Sequence, residues 1–380
     1  MQANIIGNCS LRCSTLETAP CVALPPASLQ SSCIDEVVGW DIGGAHVKAA
    51  VISAGNMIAV YQQPCPLWKG LAQLTIAVNT IVQELAEVNY HHAITMTGEL
   101  VDLFDNRDDG VKQIIETMTG LLPGCELLVF AGREGFLKPS QIDDRHYSSI
   151  ASANWVASAS YAAQKINNGL FVDCGSTTTD ILLLNDGQVL AEGYTDYQRL
   201  LSEELIYTGI VRTAVMAVTR TALDQGKKIG LMAEYFATMA DVYRVTGELN
   251  DIHDQTDTAD GAEKTILASA RRLSRMIGCD FYADELPRWQ RFAENIRFLQ
   301  LQQIQRGCEL RLSQYELLPN SPLIGAGVGR FLVKQIALNL GRPYLDFSDL
   351  FPVAAILSDM TTADCAPAAA IAYLVNRADS

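Results

Sequence analysis

Two acidic residues, Asp41 and Asp173, each stand at the end of an apolar run and open a loop of small residues. The first stretch reads Asp41-Ile42-Gly43-Gly44-Ala45-His46-Val47-Lys48, the second Asp173-Cys174-Gly175-Ser176-Thr177-Thr178-Thr179-Asp180. Superposed without gaps, they place Gly43 on Gly175 and, further along, the turn glycine Gly55 on Gly187. A carboxylate at the end of a buried strand can hold a magnesium ion through water, while backbone N–H groups and Ser/Thr hydroxyls in the following loop meet phosphate oxygens. Asp41 and Asp173 are therefore the candidate metal ligands. Gly43, Gly44, Lys48, Gly175, Ser176, Thr177, Thr178 and Thr179 are the candidate phosphate-binding residues, and a rotated His46 is a second source of positive charge. Taken singly, either copy is equally well explained as a tight turn, a common use of Asp and Gly. Two unrelated turns need not repeat a whole strand pattern at matched spacing, so the duplication favours a phosphate clamp built from two facing loops.

A third glycine loop, Gly325-Ala326-Gly327-Val328-Gly329, follows an apolar run and precedes a helical pattern. A strand-to-helix turn accounts for it. Placed after two phosphate-type loops, a helix N-terminus there would add N–H donors for an anion, which makes Gly325 and Gly327 candidates as well. Arg330 and Lys334 add positive charge nearby.

The elements that must position these loops follow from periodicity. Val37–Asp41, His46–Ser53 and Met57–Tyr61 read as a strand meander. Apolar residues recur at helical spacing from Leu71 to Leu85. His92–Thr97 is a strand ending at Thr97-Gly98-Glu99, Val111–Met118 is a helix and Leu127–Phe130 a strand, so the first half has the order βββαβαβ. Asn154–Ala163 is a helix crossing to the second half, where Gly169–Glu192 repeats the meander. A mostly helical insert follows at about 200–305, with helices expected over Ala233–Glu248, 263–278 and 284–305. The acidic segment Asn250–Gly261, with His253, Asp254, Asp257 and Asp260, reads as a loop whose charges are solvated, shape a lid or bind a second cation. Phe331–Leu340 is a further helix, Tyr344–Phe347 a strand, and the Ala-rich stretch Ala366–Val375 a packed helix. The expected organisation is a disordered tail at 1–36, a first domain at 37–158 to which a C-terminal helix at 360–380 returns, and a second domain at 159–359 carrying the insert.

Bulk composition limits the function classes. With 28 basic and 43 acidic side chains the net charge is −15, which excludes a broad nucleic-acid footprint, since such binding rests on neutralising phosphates with Lys and Arg. No run approaches the length needed to span a bilayer, and a soluble cytoplasmic protein is expected. Of the 10 cysteines, Cys9, Cys13, Cys21 and Cys33 crowd the tail. Cys65, Cys125, Cys174, Cys279, Cys308 and Cys365 read as buried free thiols in a reducing compartment.

Several stretches carry a resemblance: Met96-Thr97-Gly98-Glu99-Leu100, Asp173 to Asp180, Tyr207-Thr208-Gly209 with Arg212-Thr213, Glu234 to Asp241, Thr258-Ala259-Asp260-Gly261 and Gly325 to Arg330. With them the chain from about residue 37 resembles the hydantoinase/oxoprolinase group of the actin-like, sugar-kinase and heat-shock ATPase superfold. It is most similar to the tetrahydromethanopterin-linked one-carbon-transfer proteins, whose archaeal members join an aminomethylfuran diphosphate to the phenol of γ-glutamyltyramine. The resemblance implies an α/β fold of two RNase H-like (actin-like) domains. It also implies a transferase that grips a furan diphosphate with Mg²⁺ and releases pyrophosphate to form an aryl ether. On that reading Arg212 clamps the diphosphate, and Glu99, with Asp102 second, takes the phenolic proton. Residue by residue, Glu99 as a helix cap, Asp102 as a solvated side chain and Arg212 as an ion-pair residue are the alternatives. The implied partners are the small furan diphosphate and a phenolic amine, with no nucleic acid or membrane, and apolar faces of the insert on which a homodimer could form. Two other classes stand beside this one: an ATP-dependent kinase or amide hydrolase using the Gly325 loop for adenosine, and a nucleotide-switched, non-catalytic partner protein. ATP enters as a cofactor only in those alternatives.

Overall fold

The computed structural model describes residues 36–86, 88–353 and 359–378. The tail expectation and its four cysteines lie outside the described residues. Two mixed sheets dominate the chain. The first contains β1 (Glu36–Ile42), β2 (His46–Ser53), β3 (Asn56–Pro64), β4 (His91–Met96), β5 (Leu127–Phe130) and β6 (Phe136–Leu137), in the order β3-β2-β1-β4-β5-β6. β1 to β3 form the antiparallel meander, while β4 lies parallel to β1 and β5 parallel to β4. The second sheet repeats the plan with β7 (Gly169–Cys174), β8 (Thr179–Asn185), β9 (Gln188–Leu190) and short β10 (Leu205–Ile206). Outside that sheet, β11 (Thr221–Asp224) and β12 (Lys227–Gly230) form a separate hairpin. β13 (Leu323–Ala326) then returns parallel to β7, and β14 (Tyr344–Asp346) parallel to β13.

The duplication holds residue by residue. Asp41 pairs with Lys48 across β1 and β2, and Asp173 pairs with Asp180 across β7 and β8. Both meanders turn through two residues with positive φ, Ala54-Gly55 at 46° and 76° and Asp186-Gly187 at 50° and 74°. This is the geometry that matches the right-handed twist of a hairpin, and glycine adopts it without steric cost. The fold is therefore the expected α/β duplication.

Helices fill the space around the sheets. The helix Ala366–Ala378 packs on β1, β2 and β4 of the first sheet and against the helix Asn154–Lys165, which in turn packs on β8 and β9 of the second. One apolar core consequently runs through both halves: Val37, Ala50 and Ala93 join Phe171, Leu182 and Ile324 through these two helices. A second core lies under the insert and a third under the outer face of the first sheet. No described helix is long and apolar enough to cross a membrane.

The insert departs most from expectation. The helix expected over Ala233–Glu248 covers only Met239–Thr246. Thr238 and Asp241 form a capping box that starts it, while Thr238 and Ala214 form an isolated bridge that keeps the preceding residues extended. The expected 263–278 helix is Ile266–Arg275, begun by the Thr265 side chain, and the 284–305 helix runs on to Gln314. The β11–β12 hairpin stands in a stretch of the mostly helical insert for which no element was expected. Its turn residues Gln225 and Gly226 have φ of 48° and 77°. The acidic segment is a loop, yet His253 and Asp254 within it are buried: Arg244 donates to Asp254 at 2.5 Å and His253 faces Asp364 at 3.5 Å. These two residues are thus built into the interior by pairing, the condition under which buried charge is tolerated, while Asp251, Asp257 and Asp260 stay exposed. Of the six cysteines expected to be buried, Cys125 is exposed and Cys279 half-buried.

Candidate active site

Between the two sheets lies a cleft of about 770 Å³, lined by the loops that follow β1 and β7. The loops share a hydrogen-bonding plan. Gly43 N–H donates to His46 O at 2.9 Å, and Gly175 N–H to Thr178 O at 2.8 Å. Each root is pinned by the loop after the neighbouring parallel strand, Thr97 N–H donating to Ile42 O at 3.0 Å and Gly329 N–H to Cys174 O at 2.8 Å.

The loop carbonyls are engaged from behind as well. Gly44 O and Ala45 O accept from Leu67 N–H at 3.0 Å and Cys65 N–H at 2.8 Å. Gly175 O accepts from Ile210 at 3.1 Å, and Ser176 O from both Val211 at 3.1 Å and Arg212 at 2.8 Å. A loop whose carbonyls are consumed presents mainly N–H and hydroxyl groups, the surface an anion requires. The second loop needs Gly209 to permit this approach, since a Cβ there would stand 2.6 Å from Gly175 O. The Arg212 guanidinium donates to Thr177 Oγ1 at 3.3 Å and lies 5.5 Å over the Trp68 ring.

At the floor of the cleft the electrostatics are dominated by burial. Asp41 is almost sealed, and burial pushes its carboxyl up to about 6, with Lys48 opposing; its Oδ1 has no protein partner. Half-buried Asp173 is pushed up to about 7 by burial and then by the Asp180 and Asp41 carboxylates, again against Lys48. Asp180 is raised by burial although Arg199 donates to it at 2.6 Å. Two raised carboxyls and an orphaned oxygen fit a divalent cation, whose charge would favour their ionised forms. Among the described residues no three His, Cys, Asp or Glu side chains form a metal cluster. A magnesium ion here would rest on the Asp41–Asp173 pair, with water and phosphate oxygens completing its shell, as this ion commonly does.

The remaining candidates distribute unevenly. Lys48 lines the cleft and donates through Nζ to Asp364 O at 2.7 Å. His46 also lines it, but burial, then Lys48 and Arg212, push its imidazole down to about 3, so it contributes no charge at neutral pH. Asp102 is exposed on the cleft wall. Glu99 is not on the wall: it is 1% exposed, sealed behind Ser152, whose hydroxyl donates to it at 2.9 Å. Thr179 is buried and donates to Thr208 O at 2.7 Å. Gly325 backs onto the Tyr344 ring, and Gly327, at φ 78°, presses against Cys174 O and Asp173. Neither glycine lines the cleft, so the third loop supports Asp173 from behind. Arg330, expected as free charge, is committed to Asp346 at 3.0 Å and Asp364 at 2.5 Å.

Cleft residues not among the sequence candidates include Asp180, Arg107, Asn154, Asp196, Trp68 and Tyr207. Asp180 had a signal, since it occupies the place of Lys48 in the repeat. Arg107 and Asp196, which form an ion pair across the two halves, had none, because their meeting depends on how the halves dock.

Known proteins share this architecture. The profile of the hydantoinase/oxoprolinase family matches residues 91–364. The (4-{4-[2-(gamma-L-glutamylamino)ethyl]phenoxymethyl}furan-2-yl)methanamine synthase of Methanocaldococcus jannaschii is 33% identical over 245 residues, covering 64% of this chain and 72% of its own. Its namesake from Methanococcus vannielii is 32% identical over 123 residues, 32% of this chain and 55% of that protein. Among solved structures, nucleotide-free acetone carboxylase superposes with a TM-score of 0.50 at 10% identity, over 83% of this chain and 68% of that one, a likeness of fold alone.

Proposed function

The chain belongs to the hydantoinase/oxoprolinase family, and from that premise we propose that it is a synthase of the kind its methanogen relatives are named for. It joins an aminomethylfuran diphosphate to the phenol of a glutamyltyramine, tyramine or tyrosine-type acceptor, with pyrophosphate leaving, in the formation of a furan coenzyme for tetrahydromethanopterin-linked one-carbon metabolism. The observation that carries this reading is the pair of loops with capped carbonyls facing one another over the raised carboxyls of Asp41 and Asp173. Such a cleft suits a diphosphate with its metal.

In the proposed reaction the bond between the furfuryl carbon and the diphosphate oxygen breaks, and its electron pair departs with the diphosphate. The furan oxygen donates density to the carbon, and a lone pair of the phenol oxygen forms the new C–O bond. Magnesium, when bound, neutralises charge on the leaving diphosphate. The two loops supply N–H and hydroxyl donors to the same oxygens, and Arg212, already oriented on Thr177, supplies a fixed cation; such preorganised donors are most effective where charge develops. In this proposal Asp102, which lines the cleft wall, accepts the phenolic proton, since Glu99 is shut behind Ser152.

Incubating the purified protein with Mg²⁺, aminomethylfuran diphosphate and γ-glutamyltyramine tests this directly. Aryl ether and pyrophosphate are expected in equal amounts. ATP hydrolysis in a parallel incubation, without ether in the first, would overturn the transferase in favour of a kinase or amide hydrolase.

A further inference from the structure

The rim of the cleft is unlike its floor. Trp68, Leu100, Tyr197, Leu200 and Tyr207 all line it, and all are exposed, Tyr207 by 63% and Trp68 by 44%. They come from separate segments of both halves. Apolar surface gathered at one mouth is a recognised mark of a binding site, whereas single exposed apolar residues are ordinary. A phosphate chain has no use for it.

Two of these residues are tied by the backbone to the phosphate loops. Trp68 follows Leu67, whose N–H caps Gly44 O of the first loop. Tyr207 precedes Thr208-Gly209, the turn packed against Gly175 to Thr177 of the second loop. The distance from each ring to its loop is therefore set by a residue or two of fixed chain. Arg212 lies over the Trp68 ring and is bonded to Thr177, so that an aromatic platform and an anion site share one cation. A planar ring seated on this rim would reach the anion held by the loops.

We propose that Trp68 and Tyr207 form the acceptor subsite, holding the phenolic ring of the incoming acceptor at the edge of the phosphate loops. This rests on the transferase reading above. A flat aromatic body gains from stacking on such platforms, while a substituent para to the hydroxyl points out of the open cleft toward solvent.

The test uses the full chain with Trp68→Ala, Tyr207→Ala and the conservative Trp68→Phe. Both exposed positions leave the buried cores untouched. In steady state, each alanine variant should raise KM for γ-glutamyltyramine about 10-fold, the equivalent of one aromatic contact, with KM for the furan diphosphate unchanged in Tyr207→Ala. Trp68→Phe should restore most of the loss. Calorimetric titration with the phenolic amide alone should show the same weakening without turnover. An unchanged acceptor KM, or a rise confined to the furan diphosphate, would overturn the assignment. If wild-type protein forms no ether, the transferase reading fails, and calorimetry still decides the subsite. Weakened amide binding in Trp68→Ala upholds an aryl site; no amide binding, with weakened ATP binding instead, overturns it as a nucleobase platform.

Discussion

A carboxyl driven up by burial resists ionisation, as Asp41 and Asp173 do at the floor of the cleft. Asp41 at about 6 and Asp173 at about 7 both lie above their ordinary value of 3.8. Their contribution to stability is fully present below about pH 4, and it is lost as pH rises through about 6 and 7. Asp41→Asn should therefore be more stable to denaturant than the wild type at pH 8, by about 3 kcal/mol, with the two converging toward pH 4. Mg²⁺ with pyrophosphate should stabilise the wild type and leave Asp41→Asn nearly unchanged. Ether formation by Asp41→Asn and Asp173→Asn should fall about 10²–10³-fold. Arg212→Ala should lose activity on the same scale without the gain in stability at high pH, since it removes a donor and no buried acid. Asp41 and Asp173 were legible in the sequence because the duplication marked them. Glu99 was legible as a carboxylate near a strand end, but its direction was not: the short turn Gly98–Leu100 rotates it toward Ser152, and such a turn has no periodicity to read.

At the scale of elements, the second phosphate loop is held by a segment that is itself held by the insert. Gln300, fully buried on the helix Leu286–Gln314, donates to Thr208 Oγ1 at 2.8 Å and Gly209 O at 2.9 Å, and accepts from Tyr243 Oη at 2.5 Å. Gln300→Met preserves volume and strands these three polar groups, at a cost of about 1–3 kcal/mol for a buried group left unsatisfied. Because the same turn backs Gly175 to Thr177, kcat should also drop in Gln300→Met protein measured well below its unfolding temperature. Full kcat at reduced stability would show that the insert does not support the loop. The meanders were readable since continuous apolar runs and the Gly turns between them agree. The insert was read less well: the caps at Thr238 and Thr265 are local signals, but the bridge from Thr238 to Ala214 that keeps the chain extended up to the helix start is a tertiary fact. A polar residue such as Gln300 on an amphipathic helix likewise gives no sign of whether it meets solvent or a buried turn.

For the molecule as a whole, the two halves are joined through small residues. Gly39 on β1 lies so close to the helix Ala366–Ala378 that a Cβ would collide with Ala368 O and stand 2.9 Å from Ala372 Cβ, and residues of both sheets share that core. The composition of the Ala-rich stretch announced close packing, but not that it would join the halves. A leucine in the Ala372→Leu variant has no volume to occupy, and overpacking of this kind costs about 1–3 kcal/mol, enough to lower Tm by about 1–4 °C in a chain of this size. Since the core is common, circular dichroism and tryptophan fluorescence should report a single transition in wild type and variant alike, shifted together; two separated transitions would show that the halves are independent. The chain just before the same helix also bears on the site. Asp364 is gripped by Arg330 and Thr361, and its carbonyl receives Lys48 Nζ, so a helix displaced by the larger side chain carries the anchor of Lys48 with it. Activity of the folded variant should consequently fall, with KM for the diphosphate substrate rising while acceptor KM stays fixed, because the disturbance reaches the phosphate loops through Lys48 and leaves the aromatic rim in place.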